Sequence, residues 1–272
     1  MTDAECIALL QWLLPRLHLR WAGFRRVRRQ VCKRFHRRIN DLGLADAHAY
    51  RDYLCRNPEE AQVADYLCRV TISRFYRDHG VFERLNGPVL DSVCADKTAA
   101  NDRQVHIWSA GCASGEETYS IALAWHFAGR HRWPGIQLRI LGTDIDDVLL
   151  ERARQGCYAP GTLKELPPQW QEEGFRSKEG SLCLKPGIMQ YVSFVKHDLR
   201  SGAPECDFDV VLCRNLAFTY FDDELQDAAA DTIHEALADG GFLVLGKHEV
   251  LPAPVSGFQL CYGPDCIYRK CP

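Results

Sequence analysis

The chain has 272 residues, 46% hydrophobic and 25% charged, a composition that supports one medium core or one core plus a small satellite domain and excludes disordered or fibrous structure. A formal net charge of −3 excludes polyanion binding by the whole surface, so any basic function must come from a local patch. Thirteen cysteines are spread with no two closer than five apart, which leaves no C-x-x-C pair for a zinc ribbon or a dithiol redox site.

At the N-terminus, Asp3 and Glu5 stand where a secretion signal would be basic, and the apolar run from Cys6 to Leu14 is interrupted by Gln11 and too short to span a bilayer. The expectation is a cytoplasmic protein with reduced thiols and no membrane insertion. Residues 16–38 then hold ten Lys/Arg and no Asp/Glu. Phe24, Val27, Val31, Phe35, Ile39 and Leu42 recur at helical spacing there, with Arg25, Arg26, Arg28, Arg29, Lys33, Arg34, Arg37 and Arg38 left over and Gly43 suited to the C-terminal cap. One helical face packs and the others are cationic. Another helix is predicted from Asp46 to Asn57, and the next places Pro58 at its first position, Glu59 and Glu60 in its first turn, and Val63, Leu67 and Val70 inward. Residues 1–70 are expected to form a helical domain, and 71–100 a linker with connecting helices.

From Gln104 the pattern changes to short β-branched and leucine-rich runs alternating with helices: Val105–Trp108, Glu116–Phe127, Leu138–Leu141, Asp146–Gln155, Val192–Val195, Val210–Cys213, Asp222–Leu237 and Phe242–Leu245. That rhythm predicts an α/β fold with a parallel sheet over 101–272. A Gly/Pro-rich stretch between Gly156 and Gln190 predicts a small inserted β-subdomain at about 160–190, with Ser181–Leu184 as one strand. Phe258–Tyr262 and Cys266–Tyr268 flank Gly263-Pro264 and suit a terminal hairpin on the sheet edge. Cys261, Cys266 and Cys271 in this region are expected to be buried or free thiols. The ten histidines lack H-x-x-x-H spacing, so no metal is inferred.

Chemistry concentrates in two places. Ser109-Ala110-Gly111-Cys112-Ala113-Ser114-Gly115-Glu116-Glu117 follows a strand and opens a helix, with small residues that let backbone approach a ligand. Its glycines are four apart, and two carboxylates stand where a pyrophosphate would bind, which argues against NAD or ATP. The same carboxylates suit S-adenosylmethionine, which has a sulfonium, an ammonium and a ribose but no phosphate. The next strand ends Leu141-Gly142-Thr143-Asp144-Ile145-Asp146, where Asp144 is placed to accept ribose hydroxyls and Asp146 to cap the following helix.

With these motifs, Val70-Thr71-Ile72-Ser73-Arg74-Phe75-Tyr76-Arg77-Asp78 and Leu212-Cys213-Arg214-Asn215, nearly the whole chain resembles the CheR-type chemotaxis protein-glutamate O-methyltransferases. The resemblance implies a Rossmann-like seven-stranded S-adenosylmethionine methyltransferase sheet with its last strand antiparallel, an all-α N-terminal domain that closes over the cofactor, and the inserted β-subdomain. It carries cofactor contacts onto Thr71, Ser73 and Arg77, onto Gly111 and Glu117 of the glycine loop and the helix it opens, and onto Asp144, Asp198, Leu199, Cys213 and Arg214. Arg77 is expected to be catalytic as a cation that can hold the acceptor's or the cofactor's carboxylate in two-pronged geometry, and the family pattern implies Tyr220 as a further catalytic residue. In the family three residues separate the Asn from an active-site Tyr, whereas Leu216-Ala217-Phe218-Thr219 are four, a variant C-R-N-L-A-F-T-Y-F pattern that should rotate or bulge this segment. The implied partner is an acidic helical substrate of chemoreceptor type docking on the basic helix near 24–38, and nucleic acid is not expected. Alternatives of the same fold are a small-molecule or peptide methyltransferase and a non-catalytic cofactor-binding regulator.

Overall fold

The computed structural model describes residues 1–252 and 257–271. By contacts the chain divides into a helical unit, Met1–Thr71 with Thr219–Gln226, and a sheet unit, Ile72–Phe218 with Asp227–Pro272.

In the helical unit, helix Asp3–Leu13 opens on a capping box: Glu5 N–H donates to the Thr2 hydroxyl at 3.2 Å, and Thr2 N–H to the Glu5 carboxylate at 2.6 Å. The basic stretch is not one helix from Phe24. Phe24 ends a four-residue helix, Trp21–Phe24, and the long helix is Arg28–Asp41. Its buried stripe is Val31, Phe35 and Ile39, and Gly43 takes a positive φ just beyond its end. Helix Ala47–Arg56 is capped by Asp46, whose carboxylate accepts from Ala49 N–H at 2.8 Å. The next helix, Glu60–Cys68, starts later than expected, and its buried stripe is Glu60, Ala64 and Cys68, with Val63, Leu67 and Val70 only half-buried. Glu60 turns that face inward because its carboxylate receives a two-pronged contact from Arg38 at 2.9 and 2.6 Å and the Tyr50 hydroxyl at 2.8 Å.

The strands are β1 Gln104–Ala110, β2 Gln137–Asp144, β3 Cys157–Tyr158, β4 Phe175–Lys178, β5 Ser181–Leu184, β6 Val192–Lys196, β7 Phe208–Cys213, β8 Leu237–Leu245, β9 Phe258–Tyr262 and β10 Ile267–Lys270. Seven form one sheet in the order β6-β2-β1-β7-β8-β10-β9. The pairs β1–β2, β1–β7, β2–β6 and β7–β8 are parallel, and β10 runs antiparallel to β8 and β9. The seven strands with an antiparallel last one are as expected. The strand order reverses direction between β1 and β7, which opens a crevice at their carboxyl ends. The inserted sheet, β3-β5-β4, has a strand that the Gly/Pro-rich stretch did not announce: Cys157–Tyr158 pairs antiparallel with β5.

Thiol chemistry also departs from expectation. Cys6–Cys32 and Cys157–Cys183 are disulfide-bonded, and the other nine cysteines, Cys261, Cys266 and Cys271 among them, are free. Each bonded pair is separated by 26 residues, so no local spacing reveals it; helix packing unites the first and cross-strand register the second. Among the described residues no helix is long and apolar enough to cross a membrane.

Candidate functional site

The candidate site gathers at the carboxyl ends of β1, β2 and β7. After β1 the chain turns through Gly111, Ala113 and Gly115, all at positive φ, and enters helix Glu116–Ala124. Two residues at the end of β2 shape this loop. The Thr143 carbonyl accepts from Gly111 and Cys112 N–H at 2.8 and 2.9 Å, and the Asp144 carboxylate accepts from Ala113 N–H at 2.9 Å. Asp144 also accepts from Asp146 N–H at 3.0 Å, while Asp146 caps helix Asp147–Gln155 as expected, through Val148 and Leu149 N–H. The small residues are required by packing: a Cβ on Gly111 would stand 2.5 Å from Leu216 Cδ2, and one on Gly115 3.0 Å from Ala153 and Phe194.

The paired acids separate. Glu116 is buried, and burial raises its carboxyl above the usual range, with Ser73 and Arg152 partly offsetting the rise. Only Glu117 stays at the strand ends, where Ser109 donates to it at 2.8 Å and Arg214 Nη1 at 3.0 Å. Successive side chains on a helix point about 100° apart, so the two acids face different surroundings, Glu116 the interior and Glu117 the strand ends.

Arg214, to which the resemblance assigns only a contact, is the hub. Its side chain is 2% exposed; besides Glu117 it donates to Asp78 at 2.7 Å and to the Arg77 carbonyl at 3.1 Å, and it lies over the Phe82 ring. The linker is thereby tied to the end of β7. Asp78 stands in the linker motif with no role read from the sequence, and its partner lies 136 residues away. Phe75 and Tyr76 are buried; Tyr76 N–H donates to Ser120 Oγ at 2.9 Å and Phe75 N–H to the Thr162 carbonyl at 3.3 Å. Arg77 itself is half-buried, donates from Nη1 to the Ile72 carbonyl at 3.1 Å, and has no ion pair among the described residues. Ser73 is half-buried in the same unit; Thr71 is exposed and belongs to the helical unit.

On the β6 side, His197 N–H donates to the Asp144 carbonyl at 3.0 Å, and its Nε2 meets the Gly202 carbonyl at 2.8 Å. Asp198 caps the turn Leu199–Ser201 and pairs with Arg200 at 2.8 Å, and Leu199 is buried. Cys213 is also buried, which pushes its thiol up, as burial does for Cys112. Before Tyr220 the chain passes Asn215 at positive φ and forms a single helical turn, Ala217–Tyr220. Tyr220 lies in the helical unit with its ring edge-on to Phe24 at 5.1 Å, and its carbonyl accepts from Arg20 N–H at 2.8 Å. The structure therefore sets Gly111 in the loop after β1 with Asp144 beside it, joins Glu117, Arg214 and the Arg77 backbone by hydrogen bonds at the end of β7, and places Thr71 and Tyr220 in the other unit.

Residues 71–266 match the model of the CheR methyltransferase SAM-binding domain. Chemotaxis protein methyltransferase 2 of Vibrio cholerae is 32% identical over 236 residues, covering 82% of this chain and 79% of that protein. A chemotaxis protein methyltransferase of Listeria monocytogenes is 30% identical over 188 residues, 69% of this chain and 68% of that one. An uncharacterised 104.1 kDa protein of Rhodobacter capsulatus is 32% identical over 241 residues; the match takes in 88% of this chain but spans only 25% of that relative's length.

Proposed function

The chain belongs to the CheR methyltransferase family, and from that premise we propose that it forms methyl esters on glutamate side chains of chemoreceptor-type proteins, in the cytoplasm. Its cofactor is S-adenosylmethionine. The residues present fit that group: the charged acceptors gathered at the strand ends are carboxylates, Asp144, Glu117 and Asp198, suited to ribose hydroxyls and cationic ends.

The cofactor supplies an activated methyl group. A glutamate acceptor is already ionised at neutral pH, so the chain has no proton to remove, and its work is to position and desolvate. Arg77 is proposed to hold a carboxylate, of the acceptor or of the cofactor, with its two-pronged guanidinium. Tyr220 is proposed as the second catalytic residue. Thr71, Ser73, Gly111, Asp198, Leu199, Cys213 and Arg214 are proposed to complete the cofactor site with Glu117 and Asp144. In the helical unit, Arg29, Lys33 and Arg37 are exposed on helix Arg28–Asp41 without an ion pair among the described residues. They are proposed as the docking surface for acidic substrate helices.

The observation that carries this reading is the family match together with relatives named as chemotaxis protein methyltransferases. Labelled methyl transfer to receptor-type helices, with a base-labile product, is the expected result. Transfer to small acceptors only, or cofactor binding without transfer, would replace it with one of the two alternative readings.

A further inference from the structure

The glycine loop is held at three points, and one of them comes from outside the main sheet. Thr143 and Asp144 hold Gly111, Cys112 and Ala113 from β2. The third point is Tyr158, whose buried hydroxyl donates to the Ser114 carbonyl at 2.7 Å and stands 3.2 Å from where a Cβ on Gly115 would lie. Tyr158 thus fixes the last turn of the loop, beside Ala153 and Phe194, which stand closer still to the same Gly115 position at 3.0 Å. The ring is fixed in turn by edge contacts with Phe75 at 4.8 Å and Tyr119 at 6.3 Å.

The strand that carries Tyr158 is only two residues long, paired with β5 at Cys157 opposite Cys183 and Tyr158 opposite Leu182. The first of these pairs is also a covalent bond. Cytosolic disulfides in ordinary organisms, where present, are characteristically transient or redox-sensing.

We propose that Tyr158 is a positioning residue for the cofactor loop and that the Cys157–Cys183 bond, by fixing β3, sets how firmly Tyr158 holds it. The proposal rests on the S-adenosylmethionine reading of the loop. Without its donor the Ser114 carbonyl turns toward other partners, the binding-competent fraction of loop conformers falls, and apparent affinity falls by the same fraction. Reduction acts through exchange: a dithiol reductant attacks one sulfur, a mixed disulfide forms and resolves, Cys157 and Cys183 leave as thiols, and the reductant becomes the disulfide. Pairing of β3 then rests on its hydrogen bonds alone.

The test is calorimetric titration of S-adenosylmethionine into the full chain, oxidised and after dithiothreitol, with thiol state checked by mass after alkylation. A Cys6→Ser/Cys32→Ser background leaves Cys157–Cys183 as the bond that responds. In that background, Tyr158→Phe, which keeps the ring contacts, is expected to weaken binding by about 3–10-fold, the range of one hydrogen bond. Reduction is expected to weaken binding about threefold where Tyr158 is present and not at all in the Tyr158→Phe variant. In turnover, Tyr158→Phe should raise the KM for the cofactor more than it lowers kcat, a split that mere loss of stability does not produce. Unchanged affinity in Tyr158→Phe overturns the proposal, and equal weakening of both proteins by reduction overturns the route through Tyr158. If the oxidised wild-type chain binds no S-adenosylmethionine, the failure belongs to the cofactor reading instead.

Discussion

Asp144 joins an observed task to a proposed one in a single carboxylate. Its place at a strand end supports the proposed role of ribose acceptor, and the carboxylate accepts Ala113 and Asp146 N–H, so it shapes the backbone of the loop beside it. Asp144→Ala should therefore cost at least a charged hydrogen bond, roughly 1.5–3 kcal/mol, or about tenfold to over a hundredfold in cofactor affinity by calorimetry. Arg214 carries a larger structural stake, because removing it leaves Glu117 and Asp78 partly buried without their cation. Arg214→Met is expected to lower unfolding free energy by about 3–5 kcal/mol in urea titrations. For catalysis, Arg77→Lys should lose much of the single-turnover rate at saturating cofactor, since a point charge cannot reproduce a planar fork, and Tyr220→Phe should lose less. A near-normal Arg77→Lys rate, or a more impaired Tyr220→Phe enzyme, would reverse that order. At this scale the sequence showed which residue types mattered but not their partners, as Glu116 and Glu117 illustrate: adjacent acids look alike until the packing of their helix buries one.

Helix Arg28–Asp41 divides its charge between packing and surface. Arg28 pairs with Asp3 at 3.0 Å, Arg38 with Glu60 at 2.6 Å, and Arg34 donates to the carbonyls of Leu67 and Arg69, so these three cations hold the helical unit together. A docking test belongs on the remainder. Replacing Arg29, Lys33 and Arg37 by Glu should raise the KM for an acidic protein acceptor, most at low salt, and leave cofactor affinity intact; equal acceptor KM at low ionic strength would reject the docking surface. The Glu60 contact makes a pH-dependent contribution to the same helix. Burial alone would raise the Glu60 carboxyl, but Arg38 and the Tyr50 hydroxyl outweigh it and hold it below the usual range. A lowered folded value means that the stabilisation is fully present above the unfolded value, about 4.3, and is lost as pH falls through the folded one. Wild type should thus exceed Glu60→Gln in urea midpoint at pH 7, and the gap should narrow below about pH 4. The amphipathic period announced this helix; the inward turn of Glu60 on its neighbour was not legible, because an acid in a first turn has the same sequence signature whether it serves the helix dipole or a buried arginine.

In the molecule as a whole, each disulfide lies within one unit, Cys6–Cys32 in the helical and Cys157–Cys183 in the sheet unit. Closing a 26-residue loop is worth about 3–4 kcal/mol on chain-entropy grounds, so reduction should speed native-state hydrogen exchange in helix Arg28–Asp41 for wild type and leave a Cys6→Ser/Cys32→Ser variant unchanged. What the sequence by itself determined is the part written in local patterns: alternating strands and helices, the glycine loop after the first strand, the acid closing the second, the capped helices and the family resemblance. Periodicity and short spacings report local backbone conformation, and these features depend on little else. Tertiary structure alone decided that Arg214 meets Asp78 across 136 positions, that Cys157 faces Cys183 across a strand pair, that Tyr158 reaches Ser114, and that Glu60 turns inward. Each of these joins residues far apart in the chain or chooses among equivalent neighbours, and such choices are made by packing, where the energy of burying a polar group depends on which partner the fold delivers to it.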